Sequence, residues 1–227
     1  MEIDLRPQLI VALLALGMAL AFVIADRRSP TSRALSLFLA FVGMSIGFGA
    51  LVALPYHARH GLQWWSGVFA LPEALAFIYA YEWILRVRRT VPTRNLKTRF
   101  GDRQLRVAQA LGLVYLLLAL GLPQLRSAYF TNPDVGMRPL TTPQFWLFAG
   151  PLALSLFLGI GSVLLLLNRR PDKAERIRLA AFIVGAPIMA LGLVVPVDYA
   201  PVTTAIGLLI FLVGGVQYHV IQGSRRQ

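Results

Sequence analysis

Two carboxylates interrupt an otherwise apolar run in the stretch ALPEALAFIYAYEWILRVRR at residues 70–89. Inside an apolar helix a carboxylate can hold a cation, relay a proton, or work with a second carboxyl group as acid and base. Glu73 and Glu82 are nine residues apart. At about 100° and 1.5 Å per residue they fall on opposite faces of a helix, roughly 13 Å apart along its axis, so acid–base work as a pair is excluded. Glu82 has Arg86 one turn further on and Trp83 beside it, the pattern of an ion pair and an interfacial aromatic at a headgroup boundary. Glu73 follows Pro72, which leaves two positions open. If Pro72 starts the helix, the carboxylate sits in the first turn at the outer rim, where the helix dipole favours negative charge. If the helix begins near Gly67, the carboxylate lies about 9 Å inside, facing the bundle with Phe77 and Ala80. In either position Glu73 is the leading candidate for contact with a ligand.

Its neighbours extend the candidate site. The preceding segment PYHARHGLQWWSG carries Tyr56, His57, His60, Trp64 and Trp65, and the later VVPVDYAP adds Asp198 and Tyr199. Together these form an aromatic, weakly charged mouth suited to a lipid, a small amphiphile or a peptide. His57 and His60 have metal-ligand spacing but no evident third ligand, so no metal site is expected. No cofactor is expected either. Both lysines, Lys97 and Lys173, fall in polar connections, which leaves no amine for a retinal Schiff base. The third histidine, His219, lies far from the other two, so no pair can ligate a haem across a bundle. The chain has no cysteine, no Gly-rich phosphate loop and no HExxH sequence. Catalytic residues are therefore not expected in it.

The elements that must position these residues are long and apolar. Of 227 residues 57% are hydrophobic and 14% charged, too little charge for a soluble domain of this length. Apolar runs of the length that crosses about 30 Å of hydrocarbon recur along the whole chain. They predict an all-α membrane protein, a seven-transmembrane helix bundle over residues 1–222, with spans at about 8–25, 34–54, 68–86, 107–123, 144–167, 179–197 and 202–221. Residues 223–227 read as the start of a cytoplasmic connector. Small residues at 43–47 (GMSIG), Ser155 to Gly159 and Ala181 to Gly185 suit close helix packing inside the bundle.

Charge sets the expected orientation, because Lys and Arg collect on the cytoplasmic side. Of the 22 basic residues only Arg6, Arg59, Arg126 and Arg138 fall in the connections that would lie outside. The N-terminus is thus expected outside and the C-terminus cytoplasmic, in the cell inner (plasma) membrane. The DRR that follows the first apolar run suits an uncleaved anchor better than a signal peptide. This topology also accounts for the net charge of +12, so nucleic acid is not an expected partner. The cationic loop at 86–106, with Leu96, Phe100 and Leu105 among its charges, is expected to rest on anionic lipid headgroups.

The stretches DRRSPTSRALSLFLAFVGMSIGFGAL, LPEALAFIYAYEWILRVRR and LVGGVQYHVIQGSRRQ resemble the N-terminal seven-helix sensor regions of bacterial membrane signalling proteins, which precede histidine kinase or class III nucleotide cyclase domains. The resemblance implies a sensor and anchor module. In that reading a signal passes from an outer pocket through the seventh helix, by way of Gln217, Tyr218, His219 and Gln222, to a cytoplasmic enzyme outside these residues. It also implies a homodimer. The alternatives left open by the sequence are a small permease and an accessory membrane subunit.

Overall fold

The computed structural model describes residues 6–25, 27–52, 65–90, 97–126, 142–168, 173–192 and 199–224. Among these the chain is helical, with seven long helices and one short one. They are α1 (Arg6–Ala25), α2 (Pro30–Val52), α3 (Trp65–Thr90), α4 (Lys97–Gly121), α5 (Pro123–Arg126), α6 (Pro143–Leu167), α7 (Lys173–Leu191) and α8 (Ala200–Ser224). Five of the long helices, α1, α2, α3, α4 and α6, are long and apolar enough to cross a membrane; the apolar stretch in α8, Pro201–Gly214, is shorter. Large apolar side chains such as Leu13, Leu117 and Phe157 stand exposed on the outer faces of the bundle. That arrangement suits a lipid surround and not water. The protein is a helical membrane protein.

Helix ends depart from the hydropathy pattern where polar residues are themselves good helix formers. The cationic segment at 86–106, expected as a loop, is helical at both ends: α3 runs on to Thr90 and α4 already begins at Lys97. Apolarity ends there before the helix does, because Arg, Lys, Gln and Leu all support helix geometry. α7 likewise starts at Lys173 and stops at Leu191, short of the expected 197, with a turn at Gly192. The larger departure concerns Pro72. It does not start α3; it lies inside that helix, which begins at Trp65. A proline interior to a helix is tolerated in a membrane bundle, where neighbouring helices re-satisfy the freed carbonyl.

Neighbours in sequence are neighbours in space. α1 packs on α2, α2 on α3, α3 on α4, α4 on α6, and α7 lies along α8, which returns to touch α1. Small residues set the close approaches. A Cβ on Gly43 of α2 would lie 2.9 Å from Leu16 Cγ of α1, and one on Gly67 of α3 would lie 2.7 Å from the Ala119 carbonyl of α4. At the α7–α8 seam a Cβ on Gly207 would come 2.8 Å from the Gly185 carbonyl and collide with Met189. α3 sits inside this arrangement. The half that bears Tyr81 and Trp83 is sealed by an aromatic cluster in which Phe182 of α7, tilted, and Phe211 of α8, edge-on, pack about Trp83 with ring centres 6.2 and 6.1 Å away, and Phe38 of α2 meets Phe211 at 5.3 Å. Trp83, read from sequence as an interfacial aromatic, is thus a core residue, 2% exposed. It sits on the inward stripe of α3 with Ala76 and Ala80. An aromatic beside a charged pair looks the same in sequence whether it faces headgroups or the core.

Candidate functional site

Where α3 runs from the aromatic cluster back toward its N-terminal end, it leaves a cavity of about 200 Å³ between α2, α3, α6, α7 and α8. Its walls are mostly apolar, among them Phe38, Phe77, Leu152 and Met189, with hydroxyls from Ser45 and Thr204. Among the described lining residues Glu73 is the one that carries a formal charge.

Glu73 does not stand alone. Arg126 Nη2 donates to its Oε2 at 2.8 Å, and the Tyr115 hydroxyl donates to the same oxygen in a short contact. The guanidinium also donates to the Tyr115 oxygen, from Nε at 3.1 Å and from Nη2 at 3.0 Å, and its Cζ lies 5.9 Å from the centre of that ring. Arg126 and Tyr115 are both fully buried, while the Glu73 side chain keeps 23% of its surface exposed. Both contacts fall on Oε2. Oε1 has no hydrogen-bond partner among the described residues.

Local sequence explains how an arginine from a connection comes to lie inside the bundle. α4 ends at Gly121, the Leu122 amide still bonds to the Leu118 carbonyl at 2.9 Å, and Pro123, which has no N–H to donate, opens the single turn of α5. The Arg126 amide bonds to the Leu122 carbonyl at 3.0 Å, as in a helical turn, so α5 keeps close to the register of α4. Tyr115, Ala119, Leu122 and Arg126 are spaced four, three and four residues apart, the i, i+4, i+7, i+11 pattern of one helix face. That spacing is the signal that finds Tyr115 and Arg126. Counting Arg126 as an outer-loop charge conceals it.

The second glutamate is paired differently. Arg86 Nε donates to Glu82 Oε1 at 2.7 Å, and Arg86 Nη1 donates to the Pro30 carbonyl at the start of α2. Both side chains are close to a third exposed. This pair fastens the end of α3 to the start of α2 and does not approach the cavity.

Of the remaining expected site residues, Tyr56, His57, His60, Trp64 and Asp198 lie outside the described residues. Trp65 is the first residue of α3. Tyr199 precedes α8, is largely exposed and is not part of the cavity wall. Gln217, Tyr218, His219 and Gln222 are in α8, which continues without a break to Ser224. No group of three metal-ligating side chains occurs among the described residues. No family model matches the chain, and no curated protein or solved structure matches it.

Proposed function

We propose that the protein is a membrane-embedded sensor and anchor module, a seven-span bundle with its N-terminus outside and its C-terminus in the cytoplasm of a bacterial cell. A ligand in the central cavity biases the position of α8, and α8 carries that bias to an output enzyme outside these 227 residues, a nucleotide cyclase in preference to a histidine kinase. The observation that carries this reading is the continuity of α8. One helix contributes Thr204 to the cavity wall, packs Phe211 against Trp83 and runs on to Ser224. A packed helix of this kind moves between discrete positions as a unit. The output enzyme rests on the resemblance of three stretches to bacterial sensor regions that precede cyclase or histidine kinase domains. The cationic ends of α3 and α4, from Arg86 to Arg106, fit anionic lipid headgroups on the cytoplasmic side.

Single cysteines along 217–227 of this cysteine-free chain test the lever. In a dimer driven by α8 they crosslink between protomers with a period of about 3.5 to 3.6 residues. Uniform absence of crosslinking sinks the proposed lever.

One observation favours a second reading, a small permease. An ionisable pair inside a bundle and beside a cavity is also what an ion or proton pathway requires. A solute flux in proteoliposomes that disappears with Arg126→Met, in protein that remains folded, would support the permease over the sensor.

A further inference from the structure

We propose that the central cavity takes an uncharged amphiphile with a hydrogen-bond-donor headgroup, of the long-chain alcohol class, which enters from the bilayer between α6 and α7 and donates to Glu73 Oε1. The inference rests on the reading of this cavity as the sensory site of the bundle.

Charge selects the headgroup. Glu73 alone would attract a cation, but Arg126 already neutralises it through Oε2. A cationic ligand would therefore bring an uncompensated positive charge into an apolar enclosure, and an anionic one an uncompensated negative charge next to a carboxylate. A neutral donor avoids both penalties. It also meets the one need the Glu73 network leaves open, because Oε1 lacks a hydrogen-bond partner among the described residues while the Glu73 side chain lines the cavity and stays partly exposed.

Size and outline select the tail. At about 200 Å³ the cavity is somewhat larger than the roughly 150 Å³ that admits a benzene ring. It has room for a headgroup and a few carbons but not for a long chain. A second cavity of about 280 Å³ adjoins it, walled by α6 and α7 and containing Trp146 and Pro187. The two share Phe77, Leu152, Leu156 and Ala190 as lining residues. Four common side chains form the partition between them, which the proposed path crosses. The outer compartment is almost wholly apolar, and it lies where two helices adjacent in sequence touch only along a short stretch. A headgroup beside Glu73 thus leaves an alkyl tail running outward past Ala190, to a lipid-facing rim marked by the exposed Trp146 and Leu191.

The test uses the full chain in lipid nanodiscs and a decan-1-ol probe with a mid-chain diazirine. Photolysis should label α6 and α7 near Leu156 and Ala190. Unlabelled decan-1-ol should compete at least about tenfold better than decanoate or decyltrimethylammonium. Ala190→Phe fills the point where the compartments meet without touching the ion pair, and it should lower labelling at least about tenfold in protein of unchanged thermal stability. Equal or better competition by the ammonium or the carboxylate overturns the headgroup assignment. Undiminished labelling in Ala190→Phe overturns the path. Neither measurement depends on an output enzyme. Alcohol binding without crosslinked α8 dimers would defeat the sensor reading alone, whereas α8 crosslinking without alcohol binding would defeat this inference alone.

Discussion

Arg126 reaches Glu73 across 53 residues of sequence, Nη2 to Oε2 at 2.8 Å, and the contact ties the short helix α5 to α3. Removing one partner of such a pair leaves the other desolvated and uncompensated. Arg126→Met is expected to destabilise the bundle by about 2–4 kcal/mol, toward the low side of the usual range because Glu73 keeps some exposure. The double variant Glu73→Gln, Arg126→Met should recover much of that loss. Denaturant titration of purified protein in detergent reads both, and a double variant as unstable as the single one would show that the charge pair is not the cause.

Tyr115→Phe isolates the hydroxyl. Its oxygen gives a hydrogen to Glu73 and receives two from Arg126, so removing it leaves the guanidinium short of an acceptor while the ring and its packing remain. A loss of about 1.5–3 kcal/mol is expected, the range for hydrogen bonds to charged groups. A change under about 0.5 kcal/mol would mean that water replaces the hydroxyl at no cost.

Glu82→Ala is the contrasting case. The Glu82–Arg86 pair is i, i+4 with both side chains near a third exposed, and such pairs contribute only about 0.2–1 kcal/mol before salt screens them. The variant should unfold within about 1 kcal/mol of the parent, and the difference should shrink further in high salt. A loss comparable to that of Arg126→Met would show that the Arg86 contact to Pro30 depends on Glu82 far more than its exposure allows.

Two glycines with the same mutation should behave oppositely. A Cβ at Gly17 meets nothing within 4 Å, so Gly17→Ala is expected to be neutral or to stabilise by up to about 1 kcal/mol. A Cβ at Gly207 meets the Gly185 carbonyl at 2.8 Å as well as Met189, so Gly207→Ala must push α7 and α8 apart, at a cost of about 1–3 kcal/mol. Thermal unfolding of the two variants side by side checks this. Equal melting temperatures would mean that the α7–α8 seam is looser than the backbone approach indicates.

Topology is open to a direct test. Reporter fusions after Arg28, Arg99 and Arg176 are expected to report the cytoplasm, and fusions near His60, Asn132 and Asp198 the outside. The prediction follows from the lopsided distribution of Lys and Arg. One clear reversal among the six breaks the seven-span arrangement.

Helix identity was legible in the sequence because it depends on length and apolarity, which are local properties. Helix ends were less so, since Arg86 to Arg89 and Lys97 to Arg106 are polar yet helical, and hydropathy measures only the first of these properties. Glu73 was found from its type and setting alone. Its position was not, because Pro72 fits both the start of a helix and the interior of a membrane helix, and only neighbouring helices decide between them. Its partners were harder still. Arg126 lies beyond the end of α4, where charge counting treats every arginine alike, and the one-face spacing that links it to Tyr115 gains meaning only because α5 keeps close to the register of α4. Trp83 failed for a related reason: burial depends on which face of α3 meets α7 and α8, and that choice is made far away in the sequence.

The order of synthesis gives the Glu73–Arg126 contact a timetable. The 53 residues between the two take about 3–10 s to emerge at ~5–20 residues per second. For that interval α3 has been made with its carboxylate and without the guanidinium. A carboxylate without its partner is costly inside a bilayer, so α3 is expected to gain its full hold only once Arg126 has been made. Arg126 would then act as a delayed clasp on α3, made before α6, α7 and α8 exist to enclose anything.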